Sequence, residues 1–121
     1  MKTNFQAVAF DMDGVLRIGQ KMIPNADKTI EHMVKKKIPG IICTNECRYS
    51  SEEIRDDLSE MGLNIPESWD IYTSAMAVRD YLKKKFLNNK NKKYIIGVIG
   101  EKGLYEAINE LNKLSNFEFL D

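Results

Sequence analysis

The sequence predicts an α/β fold built on a parallel sheet. Three observations carry that expectation. Short apolar runs rich in strand formers occur at residues 6–10, 41–43 and 94–99. Segments of helical periodicity separate them. The first two runs end abruptly at polar clusters, Asp11-Met12-Asp13-Gly14 and Thr44-Asn45. Continuous apolar runs of this length suit strands buried on both faces. Strands alternating with helices imply right-handed βαβ units. In such sheets ligands bind beyond the carboxyl ends of the strands, so the two polar clusters are expected to converge on one edge of the sheet.

Each element has a local reason. Gln6 to Phe10 reads as the first strand. Pro24 opens a helix, because its missing N–H costs nothing in the first turn. Ala26, Ile30, Met33 and Val34 recur at helical spacing, and Lys35-Lys36-Lys37 place positive charge at the C-terminal end. Pro39-Gly40 breaks the pattern before the strand Ile41-Ile42-Cys43. Ser50 and Glu53 form a capping-box signature, followed by the stripe Ile54, Leu58 and Met61, which stops at Gly62. Asp70-Ile71-Tyr72 is a short strand. Ser74 is read as the cap of a third helix, with Ala77, Val78, Tyr81, Leu82 and Phe86 along it. Tyr94 to Ile99 is a strand, Glu101 to Leu114 a helix, and Phe117 to Leu120 a last strand. Asn88 to Lys93 is the best linker candidate.

Composition narrows the class. The chain has 121 residues, enough for one small domain. It is 43% hydrophobic and 30% charged, as globular proteins are. Lys plus Arg and Asp plus Glu are 18 each, so net charge gives no argument for nucleic acid or membrane as a partner. No stretch approaches the roughly 18 apolar residues of a membrane span, and Met1-Lys2-Thr3-Asn4 shows no signal-peptide core. Cys43 and Cys47 match neither a CxxC pair nor a zinc set. They suggest a reduced, cytoplasmic chain with one buried and one partly exposed thiol. The lysine-rich stretch lacks the interleaved aromatics of a single-strand binder and reads as a solvated linker.

Asp11 and Asp13 carry the chemistry. A carboxylate held just past a strand can attack phosphorus and form an acyl phosphate. A second carboxylate two residues on can protonate the leaving oxygen and then deprotonate water. Two carboxylates this close repel, and a hard cation such as Mg²⁺ relieves that repulsion. Gly14 lets the backbone turn and approach a ligand. The Thr44 hydroxyl and the Asn45 N–H would supply donors to phosphate oxygens. A plain Asp/Gly turn is the competing reading. A calcium loop needs oxygen ligands at alternate positions and a glutamate at the twelfth, where Val15, Arg17 and Met22 stand instead.

Phe10-Asp11-Met12-Asp13-Gly14-Val15-Leu16, Ile23-Pro24, Thr44-Asn45-Glu46 with Arg48 and Ser50, Met61-Gly62-Leu63, Tyr72-Thr73-Ser74-Ala75 and Ile96 to Leu104 form an ordered series. Together they cover nearly the whole chain. The series resembles the haloacid dehalogenase superfamily of phosphatases, and within it the 4-nitrophenylphosphatase and pyridoxal-phosphate phosphatase branch. The resemblance implies a Rossmann-like core followed by an α/β cap. It implies Asp11 as nucleophile, Asp13 as general acid/base, and Mg²⁺ held by Asp11 and the backbone carbonyl of Asp13. It implies Thr44, Asn45 and Gly14 around the transferring phosphoryl group of a small phosphorylated metabolite.

It also implies a lysine, often followed by proline, in a third motif, and a fourth motif with Gly-Asp and further acidic residues. The sequence has no Lys-Pro and no Gly-Asp. The expectation is a truncated chain: residues 1–87 the N-terminal half of the core, 88–93 the linker, and 94–121 the first β-α-β of a cap. Its first strand would lie at a sheet edge and pair with a second copy or a separate C-terminal half. Three functions follow: a phosphatase, a non-catalytic metal- or phosphate-binding or assembly partner, and, ranked last, a receiver-like phospho-acceptor.

Overall fold

The structure, a computed structural model, describes residues 5–89 and 91–120. In chain order it contains β1 (Val8–Asp11), β2 (Arg17–Ile18), β3 (Lys21–Met22), α1 (Ala26–Lys35), β4 (Gly40–Thr44), α2 (Ser51–Glu60), β5 (Asp70–Thr73) and α3 (Ser74–Phe86). β6 (Tyr94–Gly97), α4 (Lys102–Asn109), a 3₁₀ turn (Glu110–Lys113) and β7 (Phe117–Leu120) complete it. This is the α/β alternation expected from the sequence. Residue 90 of the expected linker, and residues 1–4 and 121 of the expected flanking domains, lie outside the described residues.

Contacts divide the chain into two units, residues 1–44 with 52–72, and residues 45–51 with 73–121. The first is built on a three-stranded sheet of order β1-β4-β5. β1 and β4 are parallel, with Val8 opposite Gly40 and Asp11 opposite Cys43. β1 is therefore an edge strand of the described sheet. One sheet face packs on Ile30, Ile54 and Leu58 from α1 and α2, around Ile42, Ile71 and Trp69. Trp69 seats on Gly40, where a Cβ would fall 2.5 Å from three ring atoms. Its ring stacks on Phe10 at 6.1 Å. Arg55 fastens this corner by donating to the carbonyls of Ile65, Pro66 and Trp69 at 3.0, 3.0 and 2.6 Å.

Two features differ from the sequence reading. The strands are not buried on both faces: in β4, Ile42 and Thr44 are buried while Cys43 between them is exposed. Strand alternation puts Cys43 on the face opposite Ile42. Cys47 is exposed as well, and both thiols are free, so neither is the buried cysteine expected. The second feature is a small antiparallel hairpin of β2 and β3, with Arg17 opposite Met22. Its two-residue turn starts at Gly19, in a left-handed conformation with φ of 57°, which fits a tight hairpin turn.

The second unit holds a parallel pair, β6 and β7, with Tyr94 opposite Phe117. Val98, Ile108, Leu111 and Phe117 form its core, and Leu82 and Phe86 of α3 pack on it. The Phe86 and Tyr94 rings meet at 4.6 Å. Ala77, Val78 and Tyr81, expected along the packed stripe of α3, are exposed. The helix caps one residue earlier than expected: Thr73 is the N-cap, its hydroxyl accepting the Met76 N–H at 3.2 Å. Among the described residues no helix is long and apolar enough to cross a membrane.

Candidate active site

β1 ends on Asp11, and the chain then folds tightly around Met12. The side chain of Met12 is wholly buried in the core of the first unit. Its carbonyl accepts the N–H groups of Leu16 at 2.9 Å and Arg17 at 3.1 Å. Anchoring Met12 inward leaves the carboxylates on either side of it, Asp11 and Asp13, exposed. Gly14 follows with φ of 85°, and its N–H donates to the Arg17 carbonyl at 2.7 Å. A side chain at that φ would strain the turn, so the loop needs glycine there.

Each carboxylate is held. Asp11 Oδ1 accepts the Met12 N–H at 2.9 Å. Asp13 Oδ1 accepts from Arg17 Nε at 2.9 Å, and Arg17 Nη1 reaches Asp57 Oδ2 of α2 at 3.1 Å. The Arg17 side chain is only 8% exposed, whereas Asp13 and Asp57 are about half exposed. A buried guanidinium thus bridges the loop to α2. Sequence reasoning missed this residue, because Arg17 and Asp57 are 40 positions apart.

The sheet brings Thr44 to the same end. Asp11 lies opposite Cys43, and neighbouring strands run about 4.8 Å apart, so Thr44 stands one step beyond. Thr44 is 7% exposed and ends β4. Asp11 and Thr44 therefore end two adjacent strands at the same edge of the first unit's sheet, and Asp13 and Gly14 follow Asp11 in the chain. Asn45 follows Thr44 in the chain and opens the loop that belongs to the second unit.

That loop is tightly organised around Glu46, a residue whose side chain the sequence did not single out. The buried carboxylate accepts from Arg48 Nε at 3.0 Å and Nη2 at 2.7 Å. It also accepts the N–H groups of Cys47 and Arg48 at 3.0 and 2.8 Å. The Arg48 side chain holds Glu46 down to about 2, against the opposing effect of burial, and the two N–H donors add to the lowering. Both residues stand in the motif series, but nothing local in the sequence showed that their side chains pair.

Residues 8–113 match the haloacid dehalogenase-like hydrolases, and the chain belongs to that family. It is 33% identical over 98 residues to a dihydroxyacetone phosphatase of Corynebacterium glutamicum, covering 81% of this chain and 34% of that protein. It is 29% identical over 90 residues to the ribonucleotide monophosphatase NagD of Escherichia coli, covering 74% of this chain and 34% of that protein. A solved structure of a hypothetical protein from Pyrococcus horikoshii superimposes with a TM-score of 0.80 at 32% identity, over 95% of this chain and 41% of that one. The chain thus spans between a third and a half of the length of these relatives.

Proposed function

We propose that this chain carries the nucleophile-bearing part of a phosphatase site that hydrolyses a small phosphate ester through a phosphoaspartate. The observation that supports it is the β1–β4 register, which puts Asp11 and Thr44 at adjacent strand ends. The likeness to relatives named as phosphatases supports the same reaction class. An Asp11 carboxylate oxygen attacks phosphorus, and the bond from phosphorus to the ester oxygen breaks. Asp13 gives its proton to that leaving oxygen. Asp13, now a carboxylate, takes a proton from water as the water oxygen attacks the phosphorus. The bond to Asp11 breaks, inorganic phosphate leaves, and both carboxyl groups return to their starting states. The Thr44 hydroxyl and the N–H groups of Asn45 and Gly14 donate to the phosphoryl oxygens as charge builds.

The donor set suits Mg²⁺. Asp11 and Asp13 offer exposed hard oxygens, and Mg²⁺ commonly takes one or two carboxylates and keeps several waters. The Asp11 carboxylate and the Asp13 backbone carbonyl would hold it, and when bound it would neutralise charge on the phosphoryl group. Hydrolysis of p-nitrophenyl phosphate that requires Mg²⁺ and disappears in Asp11→Asn is the expected result. Hydrolysis that survives Asp11→Asn sinks the assignment.

A second reading is a chain that binds Mg²⁺ or phosphate without turnover, or serves as an assembly partner. A wild-type chain that binds phosphate yet leaves p-nitrophenyl phosphate intact is the result this reading expects.

A further inference from the structure

Asp13, Arg17 and Asp57 all belong to the first unit, and one guanidinium joins them. Arg17 Nε donates to Asp13 Oδ1 at 2.9 Å, and Nη1 donates to Asp57 Oδ2 at 3.1 Å. The Arg17 backbone closes the same turn. Its carbonyl accepts the Gly14 N–H at 2.7 Å, and its N–H donates to the Met12 carbonyl at 3.1 Å. Asp13 and Arg17 also stand opposite each other as an isolated β-bridge. The far anchor is firm, because Ile54 and Leu58 of the helix that carries Asp57 are buried in the core. An ion pair between two exposed side chains commonly contributes little. Arg17 is different: its side chain is 8% exposed, while the Asp13 carboxylate that it holds stays half exposed.

We infer that Arg17 is a positioning residue for Asp13, holding Oδ1 so that Oδ2 is the oxygen that carries the proton to and from the reacting groups. The inference rests on the proposed phosphatase reaction and deepens it. A free aspartate side chain rotates among several staggered positions and presents either oxygen in many directions. A planar guanidinium, itself fixed by a second carboxylate, removes that freedom. Its N–H lies against Oδ1. Oδ2 is left to give its proton to the leaving oxygen and then to take one from the attacking water. A group that transfers a proton must lie within hydrogen-bond reach of its target, so a fixed orientation speeds both transfers. Arg17 keeps its own protons throughout and does not touch the reacting atoms in this scheme. Asp57 acts on Asp13 only through Arg17, by holding the guanidinium from the side of α2.

The test compares two esters on the intact chain with Mg²⁺. p-Nitrophenolate leaves as a stable anion and needs little help from an acid, whereas phenolate leaves far better with a proton from Asp13. The ratio of kcat/KM for phenyl phosphate to that for p-nitrophenyl phosphate therefore reads how well the acid is placed. Arg17→Met is expected to lower this ratio roughly tenfold, part of the 10²–10⁴-fold that general acid–base catalysis typically contributes. Asp57→Asn, which keeps the guanidinium, is expected to lower it by a smaller factor. Arg17→Lys, which keeps a cationic donor, is expected to restore part of it. Arg55→Met loosens the Trp69 corner of the same unit and is expected to leave the ratio unchanged. Mg²⁺ affinity, read by calorimetry, is expected to be unchanged in Arg17→Met, because the Asp11 carboxylate and the Asp13 carbonyl would hold the ion. An equal loss on both esters in Arg17→Met and Asp57→Asn overturns the inference and leaves the phosphatase reaction standing. An equal change of ratio in Arg55→Met, or a fall in Mg²⁺ affinity that tracks the loss, also overturns it by exposing a general loss of structure. A wild-type chain that hydrolyses neither ester overturns the phosphatase reading, and the inference with it.

Discussion

Replacing Arg17 with Met removes the guanidinium that joins Asp13 to Asp57 but keeps an apolar stem of similar length. Arg17 makes two charge-assisted hydrogen bonds, at 2.9 and 3.1 Å, from a side chain 8% exposed. A hydrogen bond to a charged group contributes roughly 1.5–3 kcal/mol when both partners are buried. Here Asp13 and Asp57 are 50% and 40% exposed, so water compensates much of the loss. About 1 kcal/mol per bond is the appropriate scale, and Arg17→Met is expected to cost about 2 kcal/mol. Unfolding entropy of roughly 2.1 cal/mol/K per residue gives about 250 cal/mol/K for 121 residues. The melting temperature should fall by about 8 °C, measured by circular dichroism. Arg17→Lys should fall between the two, because an ammonium cannot span both carboxylates as a guanidinium fork does. A melting temperature within about 2 °C of wild type for Arg17→Met, on the same entropy scale, would show that the bridge contributes nothing and refute the reasoning.

Gly40→Ala drives a methyl group into the Trp69 ring, whose nearest atoms would lie 2.5 Å away. The ring is backed by Phe10 and its backbone is held by Arg55, so a loss of about 1–3 kcal/mol is expected in urea denaturation; a wild-type midpoint would contradict the packing. Glu46 is held at about 2, below the ordinary 4.5 for a glutamate. Because the folded value is depressed, its contribution to stability is fully present above pH 4.5 and is lost as pH falls toward 2. Glu46→Gln should flatten the pH dependence of the urea midpoint across that window, and an unchanged slope would remove Glu46 from the account. β1 is an edge of the described sheet, and such edges invite pairing. Light scattering at high concentration should therefore reveal association with a second copy of the chain; a monodisperse monomer would count against pairing.

Much of the first unit was legible because its signals are local. The apolar run that stops at Asp11-Met12-Asp13-Gly14 fixes a strand and the turn after it, and the run that stops at Thr44 fixes its neighbour. The β1–β4 pairing follows from ordinary βαβ topology once those ends are found. What stayed hidden depends on distant partners or on one-residue differences. Arg17 looked like a loop residue until α2 brought Asp57 to it. Ser74 looked like a helix cap, and Thr73 took that role because its hydroxyl reaches the Met76 N–H. That left Ser74 free to bind the Asn45 carbonyl, a contact spanning 29 positions. Cys43 read as buried because an apolar run does not show which face of a strand is covered. The β2–β3 hairpin was missed because two-residue strands carry almost no periodicity, although Gly19-Gln20 between polar and apolar neighbours was a usable turn signal.

The central claim is that Asp11 is the nucleophile, and the most direct measurement looks for its covalent intermediate. The intact chain is mixed with p-nitrophenyl phosphate and Mg²⁺, quenched in acid and mapped by peptide mass spectrometry. The account predicts a phosphoryl group on the peptide containing Asp11, released by hydroxylamine as acyl phosphates are, and absent from Asp11→Asn. Turnover without that adduct, or an adduct on any other residue, would contradict it.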